Sequence, residues 1–407
     1  MVHHHACEAP APAPDHRAIG RDLGLFHIPP LAQGQVFWEP RGLILLRELE
    51  AFVSALVGDH GYQEVRSPLL WREELWQRSG HAEKFDGLYR VDGGLAMKPV
   101  ACPAHCAYYL RRPRTLAELP LRLAELGCCH RNEQSGELQG LLRLRGFVQD
   151  DAHIFAAPEQ VAAEIAGCLR LAEAVYRHFG LEPDYELSLR PPVRYGADEL
   201  WDRAEADLRA AIAEAGLAAA EQPGEGAFYG PKIDLHVRDA LGRRWQLGTV
   251  QVDYVLPELF DLRYRGAGRT DGGRPVMIHR ALLGALERFL AVLLEHCDGL
   301  LPLWLAPMQV RVLPIGAAER PAGDALDHRL RDAGIRSQVV LDGPLSGRIR
   351  QAEADRVPYQ LIVGRREAAD GRVVVRRARA DGGQAVMDVA EAVGRLAGEA
   401  QAGRRPG

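Results

Sequence analysis

Apolar side chains recur at helical spacing over residues 43–56 and 158–179, whereas residues 245–254 alternate apolar and polar positions like a half-buried strand. From about residue 17 to 305 the two patterns are mixed, which predicts one large α+β domain built around an antiparallel sheet. After LPLWLAP (301–307) the rhythm changes. The predicted order is a strand at 309–315, a helix to 333, a strand at 336–341, a helix from 347, a strand at 359–364, a hairpin around Asp370-Gly371 and a last helix from 388. Strands alternating with helices in this way predict a small α/β domain. Residues 1–15, with HHH and then APAPAP, read as a flexible tail and are set apart from the fold. The expected organisation is a tail at 1–15, a first domain at 16–305 and a second at 306–407. The most apolar helix, near 281–297, is interrupted by Glu287 and Arg288, and no N-terminal run is long enough for a signal peptide. The expected compartment is therefore the cytoplasm.

The densest chemistry lies at 127–155, GCCHRNEQSGELQGLLRLRGFVQDDAHIF, which holds three arginines, four carboxylates and two histidines among apolar residues. Its apolar runs, 138–144 and 147–155, predict strands or strand ends beside a polar turn at 133–137. Alternation along them would let Arg131, Glu133, Arg143 and Arg145 converge on a polyanion. A guanidinium fork matches phosphate oxygens two at a time, so a nucleoside triphosphate is the expected ligand.

Charge and cysteine content narrow the picture further. A net charge of -5 and a pI near 6.3 offer nothing to bulk nucleic acid, so any RNA contact must be local. Residues 306–407 carry 17 arginines against 13 acids, opposite in sign to the rest, which suits such a contact. Seven scattered cysteines form no disulfide framework and leave thiols for packing or metal. Positive charge is almost all arginine; the lysines are Lys84, Lys98 and Lys232, so Lys98 and Lys232, each inside a distinctive motif, stand out.

The segment HRNE followed by RGFVQDDAHIF resembles motif 2 of the class II aminoacyl-tRNA synthetases, in the wording of their threonyl branch. FWEPRG (37–42), LWQRSGHAEKF (75–85), WDRAEADL (201–208), GEGAFYGPKID (224–234), WQLGTVQVDY (245–254) and PVMIHRALLGALERF (275–289) are similar to family segments and follow in family order, so the resemblance covers roughly 15–400. It implies an antiparallel class II sheet flanked by helices, then an anticodon-binding-type α/β domain. It also implies a homodimer formed through the motif 1 segment near FWEPRG.

The resemblance further implies a zinc ion held by Cys102, His153 and His279, a thiolate and two imidazoles that leave coordination positions open for substrate. The local cluster Cys102, His105 and Cys106 lacks a second ligand pair at finger spacing and is not expected to be a site. Threonine would be activated by ATP with Mg²⁺ and then passed to the 3′ end of tRNA. By the same resemblance, Asp151, Gln149, Tyr229, Lys232 and Gln251 would line the threonine pocket. Arg131, Glu133, Arg143, Phe147, Gln246, Thr249 and Arg288 would hold ATP, with Phe147 stacked on adenine. Arg131, Arg288 and Lys232 are the residues expected to act in catalysis; without the motif, Arg288 would read as a helix salt bridge to a neighbouring Glu.

An apolar pocket separates threonine from valine poorly, whereas ligation through amino group and hydroxyl rejects valine; serine differs only by a methyl. Full-length bacterial members carry a small domain and an editing domain ahead of this core, which begins here near Asp15. Some seryl product is therefore expected unless it is corrected in trans. Two departures bear on specificity. Val100, Ala101 and Ala104 replace the usual Met-Asn and Gly around the zinc cysteine. Ala369 and Ala378 replace a Glu and an Arg expected to read anticodon bases, though Arg376, Arg377 and Arg379 remain to grip phosphate. They motivate the alternative of an adenylate-forming relative that hands threonine to a carrier protein or small acceptor. A non-catalytic RNA-binding relative is disfavoured by retention of Arg131, Arg288, Lys232 and the three zinc positions.

Overall fold

The strands Leu121–His130 and Gly146–Ala156 pair antiparallel without interruption, from Leu121 opposite Phe155 to His130 opposite Gly146. In this computed structural model, which describes residues 14–239, 242–266, 272–379 and 383–405, they belong to an eight-stranded sheet. Its spatial order is Ala219–Gln222, Asp184–Ser188, Lys232–Arg238, Arg244–Asp253, Val276–Ala281, Gly146–Ala156, Leu121–His130 and Gln63–Glu64. The six central strands are antiparallel, but both edge pairings are parallel, so the expected antiparallel sheet is in fact mixed.

One face is covered by the helices Val161–His178, Asp198–Glu214 and Leu286–His296, which bury Ile165, Leu169, Leu208, Phe289 and Leu293 against strand residues such as Ile154, Val250 and Ile278. The helix Pro40–Asp59 begins with Pro at its first turn, where a missing N–H costs nothing, and aligns Leu45, Leu49, Phe52, Val53 and Leu56 on one buried stripe. Burying each such side chain contributes roughly 1.5–3 kcal/mol. The opposite face of the sheet is left open at its centre.

The C-terminal sheet has the order Ser337–Val339, Val310–Pro314, Tyr359–Val363, Arg372–Arg377 and Gln384–Asp388. Its first three strands are parallel and the last two antiparallel. It meets the helix Pro40–Asp59 and the turn after Leu286–His296 through charge: Arg336 and Arg404 both reach Glu48, and Arg356 reaches Asp298 at 3.1 Å.

Two local expectations fail. Residues 138–144 form no strand. The 3-10 turn Ser135–Glu137 leads into a loop that buries Leu141, Leu142 and Leu144, with Gly140 at φ 52°, where an added Cβ would lie 2.2 Å from His16 Nε2. The loop is anchored instead of paired, its Leu141 N–H donating to His16 Nε2 at 3.1 Å. Asp370-Gly371 is likewise not a hairpin turn. It ends the short helix Arg365–Asp370, with Gly371 as a left-handed cap, and the hairpin is formed by the two strands that follow. No described helix is long and apolar enough to cross a membrane.

Candidate active site

Strand register assembles the site. Lys232 pairs with Gln251, Gln251 with His279 and His279 with His153, a straight row across four antiparallel strands. Directly paired residues share a face and sit within about 5.5 Å, so these four side chains converge on the open face. Cys102 begins the helix Cys102–Leu110 over the same spot, and one ligand atom from each of Cys102, His153 and His279 lies within 4.8 Å of the others. One buried sulfur and two buried imidazoles at that separation fit a tetrahedral Zn²⁺ with a position to spare.

Arg131 follows the strand Leu121–His130. Its guanidinium lies over Phe147, 5.1 Å from the ring centre, and over Phe85 at 5.6 Å. Arg288, near the start of the helix Leu286–His296, is not in a helix salt bridge: Nε donates to Leu142 O at 2.8 Å and Nη1 to Gln246 O at 3.0 Å. Its neighbour Glu287 turns the other way and accepts from Val148 N–H. Gly284, at φ 69°, lets the backbone before that helix pack closely on Leu247, since an added Cβ would lie 2.1 Å from Leu247 O. Arg143 donates to Glu133 and Glu137. Arg145, expected to converge with these, instead donates to Glu133 O at 2.9 Å and braces the loop.

Cys102, Arg131, Glu133, Arg143, Phe147, Gln149, Asp151, His153, Tyr229, Lys232, Gln246, Thr249, Gln251, His279 and Arg288 all line one cavity of about 310 Å³. Val100, one of the departures, is also in its wall.

Electrostatics set the protonation states. Burial pushes the Asp151 carboxyl up to about 6, only partly opposed by the histidines His105 and His279. Burial holds the His153 imidazole well below its usual value and the Cys102 thiol well above. Burial, then the neighbouring charge of His279 and Arg131, lowers His81, which sits 4.0 Å from Cys102 Sγ, to about 4. Arg288 is lowered by burial and by Arg131 and Arg143, so a cationic cavity awaits an anion.

Sequence reasoning assigns no role to four residues that support the site. Asp234 accepts from Lys232, Gln246, Thr249 and Ser188, tying three cavity side chains together; its spacing of two from Lys232 on one strand was the available signal. Asp253 accepts from His279 Nε2 at 2.9 Å. His105 and Glu125 back His153 from the other side.

In the C-terminal unit Ala369 is exposed at the helix end, and Ala378 is buried with its N–H on Pro358 O. Arg376 pairs with Glu353 and Arg379 with Asp298, while Arg377 lies over Tyr359.

This fold and cavity define a class II aminoacyl-tRNA synthetase core. Residues 88–297 match the tRNA synthetase class II core domain (G, H, P, S and T), and residues 309–399 match an anticodon binding domain. The structure resembles the RNA binding domain of threonyl-tRNA synthetase from Cryptosporidium parvum Iowa II, with TM-score 0.91 and 35% identity over 95% of this chain and 98% of that one. It also resembles a putative threonyl-tRNA synthetase from Aeropyrum pernix, with TM-score 0.84 and 29% identity over 96% of each. In sequence it is 44% identical, over 95% of its length, to the threonine–tRNA ligase of Novosphingobium aromaticivorans. It is 45% identical over 92% to that of Dechloromonas aromatica. The chain belongs to the threonyl-tRNA synthetase family. It spans 62% and 60% of the length of those two relatives.

Proposed function

We propose that the chain is a threonine–tRNA ligase of the cytoplasm, with residues 16–305 as its catalytic unit and 306–407 as its anticodon-binding unit. The observation that carries this reading is the single cavity that joins the Cys102, His153 and His279 triad to the Arg131 and Arg288 guanidinia. A metal-type triad fits selection of an amino acid, and paired guanidinia fit a triphosphate; one cavity holding both fits their union.

In the first step a carboxylate oxygen of threonine attacks the α-phosphorus of ATP, the bond from that phosphorus to the α,β-bridging oxygen breaks, and pyrophosphate leaves with the electron pair. No proton need move, so the task is charge stabilisation and alignment. Arg131 is placed to hold the α-phosphate and the carboxylate, and Arg288 the γ-phosphate. Glu133 and Arg143 position the nucleotide and Phe147 offers a face for adenine, with Gln246 and Thr249 beside them. Mg²⁺ accompanies the triphosphate.

Asp151 accepts from the substrate ammonium, which draws its carboxyl further toward the ionised form. Gln149, Tyr229, Lys232 and Gln251 close the pocket around the side chain. Zn²⁺ held by Cys102, His153 and His279 would supply contacts to the amino group and to the hydroxyl, and valine lacks the hydroxyl. In the second step the terminal adenosine of tRNA attacks the acyl carbon and AMP leaves. A homodimer through the 37–42 segment completes the reading.

The test is threonine-dependent exchange of pyrophosphate into ATP. Robust exchange that Arg131→Ala reduces by about 100-fold or more supports it, on the scale of a lost electrostatic contact to the developing charge. Exchange equal in the variant would refute the assignment of Arg131.

A further inference from the structure

His105 takes no part in the chemistry above, yet both of its ring nitrogens are engaged in the interior. Nε2 lies 3.2 Å from Glu125 Oε2, and Nδ1 lies 2.7 Å from Nδ1 of His153. The other Glu125 oxygen, Oε1, accepts from Lys98 Nζ at 2.6 Å and from the Ser67 N–H at 3.1 Å, while Ser67 Oγ donates to Oε2 at 2.8 Å. Lys98, His105, Glu125 and His153 are all buried.

With His105 neutral, proton accounting along this chain has one solution. A carboxylate paired with an ammonium is an acceptor only, so the proton between Glu125 and His105 sits on His105 Nε2. A neutral imidazole with that proton has its lone pair on Nδ1. The 2.7 Å contact is then an N–H···N bond in which His153 Nδ1 donates. His153 Nε2, the nitrogen on the Asp151 side of the ring, is left with a free lone pair. Local geometry explains the placement: His105 is one helical turn beyond Cys102, and Glu125 stands opposite Asp151 in the strand register.

We propose that Lys98, Glu125 and His105 form a positioning relay that fixes the tautomer and ring orientation of His153, so that its Nε2 is presented to a divalent cation shared with Cys102 and His279. Asp253 does the same for His279 in one step, accepting a hydrogen bond from its Nε2–H at 2.9 Å and leaving Nδ1 for the ion. Two histidines thus present opposite nitrogens to one point. The relay rests on the zinc reading of the triad, and extends it to residues that never touch the ion.

The test uses the full chain with zinc and, separately, cobalt. Loss of such an outer partner costs typically about 10–100-fold in metal affinity. His105→Leu is expected to weaken zinc by that factor in chelator competition and to shift the visible bands of the cobalt form. His105→Asn, whose amide oxygen sits where the imidazole Nδ1 was, is expected to recover most of the loss. Glu125→Gln, which can donate to His105 and reverse the relay, is expected to behave like His105→Leu. A parent chain that binds no zinc overturns triad and relay together. A parent that binds zinc, with His105→Leu equally tight and spectrally unchanged, overturns the relay alone. Should His105→Leu not fold, the nitrogen spectrum of the zinc-loaded parent decides: a His153 proton on Nδ1 supports the relay, and one on Nε2 refutes it.

Discussion

Arg143 donates two hydrogen bonds to a single oxygen, Glu133 Oε2, at 3.0 and 2.7 Å. The arginine side chain is 43% exposed, and such pairs stabilise a fold by only about 0–1 kcal/mol. The pair is therefore easily exchanged for phosphate oxygens. Arg143→Ala is expected to raise the KM for ATP about tenfold while moving the urea midpoint little. A large loss of stability with unchanged KM would make Arg143 structural.

Asp150 sits behind the cavity and accepts from Arg280 Nη1 at 2.7 Å, Leu282 N–H at 2.9 Å and Leu283 N–H at 3.1 Å. Arg280 is completely buried. Removing one partner of such a pair leaves an uncompensated charge, at a cost of about 3–5 kcal/mol. Asp150→Ala is expected to lose that much in equilibrium unfolding. A loss below about 1 kcal/mol would show that water reaches Arg280, against the burial described.

Glu287 gives stability a pH dependence of unusual sign. Burial, helped by Glu50, raises its carboxyl from the ordinary 4.5 to about 7 against the pull of two backbone N–H groups. Between those values the folded chain holds the proton more tightly than the unfolded one, so this group's contribution is full below 4.5 and declines as pH rises through about 7. The total is on the order of 2–4 kcal/mol. Glu287→Gln is expected to flatten the stability profile between pH 5 and 7. An unchanged slope in the variant would contradict it.

Selectivity is the fourth expectation. Serine shares threonine's amino group and hydroxyl and lacks one methyl, worth about 1–3 kcal/mol or about 10–200-fold. Valine lacks the hydroxyl that a polar site demands, a loss of about 10⁴–10⁵. Pyrophosphate exchange should fall in the order threonine, serine, valine with those spacings. Serine and valine rejected equally would remove the metal-based account.

What was legible in the sequence was mostly what depends on local pattern. Helical spacing located the helix Pro40–Asp59 and alternation located the strand Arg244–Asp253. The row from Lys232 to His153 was legible only through resemblance, because register between four strands separated by long connections is a tertiary fact. The run 138–144 misled because buried leucines carry the same signal whether they pair in a ladder or plug a loop, and Gly140 beside His16 decides between them. Asp370-Gly371 misled because a left-handed glycine serves a helix end as well as a hairpin. His105 stands out in the sequence only within the local cluster Cys102, His105 and Cys106, which lacks a second ligand pair at finger spacing. Its partner Glu125 lies on the strand Leu121–His130 while His105 lies on a helix, and no spacing rule connects them.

The most direct test of the central claim is paired: threonine-dependent pyrophosphate exchange, then threonine charging of bulk tRNA by the same preparation. The account predicts both, with charging that tolerates changes in the anticodon because Ala369 and Ala378 offer no charged contact. Exchange without charging would contradict the ligase reading and point to another acceptor of the adenylate.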